Sequence, residues 1–103
     1  MITSVTSISI KREQVDEAIK VYREELIPVR QAGKGSPGNG SCGGYLLVDR
    51  DTGKGIAITF WPSAEDLDAS EKSHYYVEPL RKFKGYLASP HVDLGRYEVC
   101  TQG

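Results

Sequence analysis

The second half of the chain holds the side chains suited to proton transfer and aromatic binding: Trp61, His74, Tyr75 and Tyr76. A histidine exchanges its proton near neutral pH, so beside an apolar surface it can serve as a general base. His74 shares a helical face with Leu67 and Ser70, and Leu67 is expected to face a sheet. Tyr75 and Tyr76 can each pack a ring or point a hydroxyl into a cavity. Trp61 closes an apolar run just before Pro62, where a large ring fills a core or borders a pocket. His74 and Glu78 stand four residues apart and could share a metal ion. No third clear ligand accompanies them, so no metal is expected.

Two other patterns imitate known motifs and fail on context. Gly33-Lys34-Gly35-Ser36-Pro37-Gly38 has the spacing of a dinucleotide fingerprint. That fingerprint follows a strand and opens a helix, whereas this stretch follows a helix and leads to a strand. Lys54-Gly55-Ile56-Ala57 is similar to the start of an RNA-recognition strand. RNA binding there requires exposed aromatic rings, and Ile56 and Ile58 occupy their places.

The totals agree with that exclusion. The 103 residues form one domain, 1–103, with 39% hydrophobic and 26% charged residues and a formal net charge of −1. Such a balance provides no electrostatic attraction for nucleic acid or an anionic membrane. The opening Met1-Ile2-Thr3-Ser4 lacks the basic and apolar regions of a signal peptide. No stretch approaches the ~18 apolar residues of a membrane span. Cys42 and Cys100 are too few and too far apart for a disulfide framework. Two reduced thiols in a cytoplasmic protein is the expectation, with a single disulfide left open.

The elements that must position these residues follow from periodicity. Residues 3–10 read as a strand, with Val5, Ile8 and Ile10 among Ser and Thr. Residues 13–31 read as a helix whose apolar stripe is Val15, Ala18, Ile19, Tyr22, Leu26 and Val29, with Pro28 expected to kink or stop it. A Gly-rich loop spans 33–44. Strands at 44–49 and 54–61 flank the turn Asp51-Thr52-Gly53-Lys54 and form a hairpin. Ser63 caps the next helix, with Asp66 in a capping-box position. Leu67, Ser70 and His74 form one stripe and Tyr76, Leu80, Phe83 and Leu87 another, roughly opposite. One straight helix cannot bury both, so a break is expected near 71–76, with Pro79 in the first turn of the second piece. Residues 92–100 form the last strand. The order βαββαβ predicts an α+β, ferredoxin-like sandwich with a four-stranded antiparallel sheet and both helical regions on one face.

The hairpin carries apolar residues on both faces. Ile56, Ile58 and Phe60 alternate with Ala57, Thr59 and Trp61, and Tyr45 and Leu47 alternate with Leu46 and Val48. The chain's own helices can cover one face only. A second copy of the same sheet is the simplest cover for the other.

The run from Gly44 through Trp61, followed by Ser63-Ala64-Glu65-Asp66-Leu67 and the Tyr75-Tyr76 pair, resembles the antibiotic biosynthesis monooxygenase (ABM) domains. The resemblance covers most of the chain and is strongest over 44–70. It implies a dimeric α/β barrel, a homodimer whose two sheets pack face to face, with a pocket between sheet and helices in each subunit. It implies a cofactor-free oxygenase acting on a small aromatic or quinone-type molecule. In such an enzyme His74 would deprotonate a phenolic substrate, with Trp61 and Tyr76 as further catalytic candidates. Tyr75, Leu67, Tyr22 and Phe60 would bind the substrate. A non-catalytic, small-molecule-binding dimer is the alternative. A haem-degrading member would also need an Asn on strand one, where this chain has Thr6, Ser7 and Ser9.

Overall fold

Strand β1 (Ile2–Ser9) lies inside the sheet and organises it. It pairs antiparallel with β3 (Lys54–Trp61) on one side and with β4 (Asp93–Glu98) on the other. Strand β2 (Gly43–Val48) pairs with β3, giving the order β2-β3-β1-β4. The computed structural model describes residues 1–28, 42–72, 74–89 and 92–101, and only the backbone of His74, Tyr75 and Tyr76. The Gly-rich stretch lies outside the described residues as far as position 41. Gly43, expected in that loop, belongs instead to β2, together with Gly44, where the strand is expected to begin. A Cβ on Gly44 would collide with the Ile58 carbonyl oxygen, so the absence of a side chain is what lets the two strands approach there.

The first helical segment changes pitch along its length. A 3-10 turn (Arg12–Gln14) leads into α1 (Val15–Val21), and a π turn follows over Tyr22–Leu26. The Ile27 N–H reaches back five residues to the Tyr22 carbonyl. The chain is still helical at Pro28, and the stop expected there lies outside the described residues. The wide turn just before Pro28 accommodates a ring that would otherwise press on the carbonyl four residues back. Val15, Ala18, Val21, Tyr22 and Leu26 are all buried against the sheet and its partners Ile8, Ile10, Ala57 and Phe83.

The second helical region is two pieces, α2 (Ala64–Glu71) and α3 (His74–Lys84), as the opposed stripes require. The Ser63 hydroxyl oxygen accepts the Asp66 backbone N–H at 3.2 Å and donates its own proton to the Asp66 carboxylate at 2.9 Å. Pro79 is the sixth residue of α3 and not in its first turn, contrary to the sequence expectation. After α3 the chain returns to the sheet, where Ile10 bridges Leu87 and the Ala88 N–H bonds the Ser9 carbonyl at 2.8 Å. Cys42 and Cys100 are free, exposed thiols. Among the described residues, no helix is long and apolar enough to cross a membrane.

The hairpin turn is locked to the core by Gly53. Its N–H bonds the Asp49 carbonyl at 2.7 Å, and its own carbonyl accepts the Ile10 N–H at 2.8 Å. Its φ is +81°, and a Cβ there would strike the Ile10 carbonyl oxygen. Gly53→Ala is therefore expected to lower stability by about 2 kcal/mol or more, from the left-handed backbone and the collision together. Urea denaturation checks it, and an unchanged midpoint would contradict the account.

Candidate functional site

Strand parity decides which side chains meet the helices. Directly paired residues share a face, so Ala57, Thr59 and Trp61 of β3 lie with Ser4, Thr6 and Ile8 of β1 on the helical side. Ile56, Ile58 and Phe60 lie on the other side, together with Val5, Tyr45, Leu47 and Tyr97. Phe60, expected beside Trp61 as a substrate-binding residue, is thus turned away from the helices. Neighbours along a strand point in opposite directions, and the sheet stands between their side chains.

A cavity of about 910 Å³ opens between the helical face of the sheet and the helices. Its floor is Thr6, Ile8, Ala57 and Leu94. Tyr22 and Leu26 of the π turn and Leu80 and Phe83 of α3 form its walls. The Tyr22 and Phe83 rings stand 5.6 Å apart, tilted by 59°, and brace one wall as an aromatic pair. Tyr22 and Leu26, four residues apart and both buried, reach the same cavity. Leu94 points into this space and is nevertheless 74% exposed, so the cavity is open beside β4. Among the described residues its polar side chains are Thr6, Glu71, Lys84, Ser89 and the hydroxyl-bearing Tyr22.

Trp61 does not line this cavity. It borders a separate alcove of about 40 Å³, which shares Thr6, Glu71 and Leu94 with the larger space. Leu67 and the hydroxyls of Ser4, Thr59 and Ser70 complete the alcove. Trp61 is fully buried, and its indole Nε1–H donates to Thr59 Oγ1 at 2.9 Å, which fixes the ring's orientation. The alcove has room for about one water molecule and the hydroxyls to hold it. The haem-degrading pattern's third group has no counterpart here, since the helix-facing β1 side chains at the alcove are the hydroxyls Ser4 and Thr6.

His74, Tyr75 and Tyr76 open α3, the helix that carries Leu80 and Phe83 into the cavity wall. Their side chains lie outside the described residues. Phe83, Leu26, Ala57 and Lys84 were not singled out from the sequence as site residues. Phe83 and Leu26 could have been reached from their apolar stripes; nothing local marks Lys84.

Ion pairs hold the cavity's walls together. Arg96 of β4 bonds Asp68 at 2.6 Å and Glu71 at 3.1 Å, fastening α2 to the sheet edge. The Asp68 hydrogen bond is the main cause that raises the Arg96 pKa above its ordinary value, with burial opposing it. Lys82 of α3 meets Glu25 of the π turn at 2.8 Å. Both are exposed contacts, which contribute little to stability. They set orientation more than stability. Among the described residues no cluster of His, Cys, Asp and Glu could hold a metal ion.

No family model matches the sequence. Solved structures do match the fold. An antibiotic biosynthesis monooxygenase superposes with a TM-score of 0.76 at 18% identity, covering 98% of this chain and 100% of that one. SnoaB of Streptomyces nogalater, a cofactor-independent oxygenase, superposes with a TM-score of 0.69 at 13% identity, covering 98% and 94%. The Mycobacterium tuberculosis protein Rv0793 gives 0.73 at 14% identity, covering 98% and 96%. The chain therefore folds as an ABM-like, ferredoxin-like α+β domain. By sequence, an uncharacterized Mycobacterium tuberculosis protein known from two strains is 34% identical over 76 residues. That match takes in 74% of this chain and 30% of the relative, so the chain spans less than a third of its relative's length.

Thr59→Val is expected to leave the buried Trp61 N–H without its acceptor and to cost about 1–3 kcal/mol. Urea denaturation followed by Trp61 fluorescence measures it. A loss within experimental error of zero would mean that the indole finds another partner.

Proposed function

We propose that this chain is one subunit of a homodimeric, ABM-like oxygenase that acts on a small aromatic or quinone-type molecule without a cofactor. The observation that carries this reading is the cavity of about 910 Å³, apolar in most of its lining and placed between sheet and helices. Pockets of this size and character suit drug-sized apolar ligands. SnoaB, which shares the fold, is a cofactor-independent oxygenase.

In this reading the substrate ring packs on Tyr22, Phe83 and Leu26. His74, from the start of α3, takes the proton of a ring hydroxyl, with Tyr75 and Tyr76 beside it in the chain. The phenolate then supplies electrons to O2. Oxygen bonds to a ring carbon, and the hydroperoxide loses water to leave a carbonyl there, so one oxygen atom enters the product and the other leaves as water. Trp61 and Leu67 border the alcove that adjoins the reacting ring. The protein's tasks are binding, deprotonation and exclusion of bulk water. Phe60 belongs to the other face and contributes to dimerisation in place of substrate binding.

That face supports the homodimer. Tyr45, Leu47, Ile56 and Tyr97 are 63%, 50%, 40% and 60% exposed, and all lie on the side that no helix covers. Contiguous apolar surface of this kind calls for cover, and a second sheet of the same shape provides it. Leu47→Glu with Ile56→Glu is expected to convert a dimer to a monomer at micromolar concentration in sedimentation equilibrium. A wild-type monomer would contradict the packing.

Oxygen uptake with a panel of hydroxylated naphthalene and anthracene quinone precursors tests the chemistry. The expected result is uptake with at least one, reduced roughly 100-fold or more in His74→Ala. Saturable binding without uptake across the panel would instead favour a non-catalytic binding dimer. The small number of polar groups among the described lining residues makes that second reading the one to test against.

A further inference from the structure

We infer that the cavity selects a ligand with an anionic group, such as a carboxylate or sulfonate on an apolar ring body, and that Lys84 receives that group. The inference rests on the cavity being the ligand site. It goes beyond that reading by naming the ligand's charge and its orientation.

Three cations crowd the last turn of α3: Arg81, Lys82 and Lys84. Two are engaged. Arg81 meets Glu78 at 3.1 Å, and Lys82 meets Glu25 at 2.8 Å. Lys84 lines the cavity and has no carboxylate partner among the described residues.

The other charged lining residue is Glu71, and it is not an equivalent site. Arg96 already binds it at 3.1 Å while also binding Asp68 at 2.6 Å. One guanidinium against two carboxylates leaves that corner with a net charge of −1. The corner sits at the end of α2, next to where α3 begins, and Lys84 is the last residue of α3. The helix between is 11 residues long, about 15 Å at the α-helical rise. The cavity is therefore polarised along α3, acidic at the alcove end and basic at the Lys84 end. An anion on an apolar body is repelled from one end and met by an unpaired ammonium at the other. A neutral body of the same shape has no such preference, and a cationic one is drawn the wrong way for burial against Leu87 and Val92.

Two fluorescent probes separate charge from shape. 8-Anilinonaphthalene-1-sulfonate carries an anionic group, and N-phenyl-1-naphthylamine has the same ring body without it. Both are titrated into the wild-type protein, into Lys84→Gln and into Arg81→Gln, a control on the same helix whose cation is paired within that helix to Glu78 and does not line the cavity. The expected result is an about 10-fold weaker affinity of the sulfonate for Lys84→Gln, the scale of a lost charge-assisted hydrogen bond. The neutral probe is expected to stay within about twofold in every variant, and Arg81→Gln to leave both probes unchanged. Sulfonate affinity unchanged in Lys84→Gln, or equally weakened by Arg81→Gln, would overturn the inference while leaving the cavity a ligand site. No saturable binding of either probe to the wild-type protein would overturn both.

Discussion

Everything in this domain depends on one strand that is apolar on both sides. β3 presents Ala57 and Trp61 to the helices and Ile56, Ile58 and Phe60 to the opposite side. The chain has enough helix to cover one face, and it covers the face with the small and large residues alternating. Gly55, Ala57 and Thr59 leave room above the sheet, and Trp61 fills it at one end. Cavity and uncovered face are two results of the same alternation. In the proposed reading the first takes a small molecule and the second takes another sheet.

The helices shape the cavity more than they stabilise it. Tyr22 and Leu26, four residues apart across the π turn, lie on one wall of the cavity, where the Phe83 ring meets Tyr22. The break between α2 and α3 does related work. It lets Leu67 and Ser70 close the alcove while Leu80 and Phe83 close the main cavity, two directions that one straight helix cannot serve. Exposed ion pairs at Arg96 and Lys82 hold these pieces in place.

Much of this was legible from the residues. Alternation alone gave β3 its limits, Lys54 to Trp61. Opposed stripes predict a break near 71–76, where α2 gives way to α3, and Ser63 predicts the start of α2. The same alternation separates Phe60 from Trp61, because residues 60 and 61 cannot point to one side of a strand. The π turn left no mark in the pattern, since the stripe Val15, Ala18, Tyr22, Leu26 suits an ordinary helix as well. Lys84 was hidden for a different reason. Its significance lies in the pairing of Lys82 with Glu25, 57 residues away, and of Arg96 with Glu71, neither of which is local.

The central claim is that the two faces of β3 have separate tasks, and methyl NMR across a dilution series from millimolar to micromolar tests it most directly. The account predicts that the Ile56, Ile58 and Leu47 methyl signals shift as a dimer dissociates, while those of Ile8, Leu26 and Ala57, on the cavity side, hold still. Dilution shifts concentrated at Ile8, Leu26 and Ala57, or none at any of the six, would contradict it.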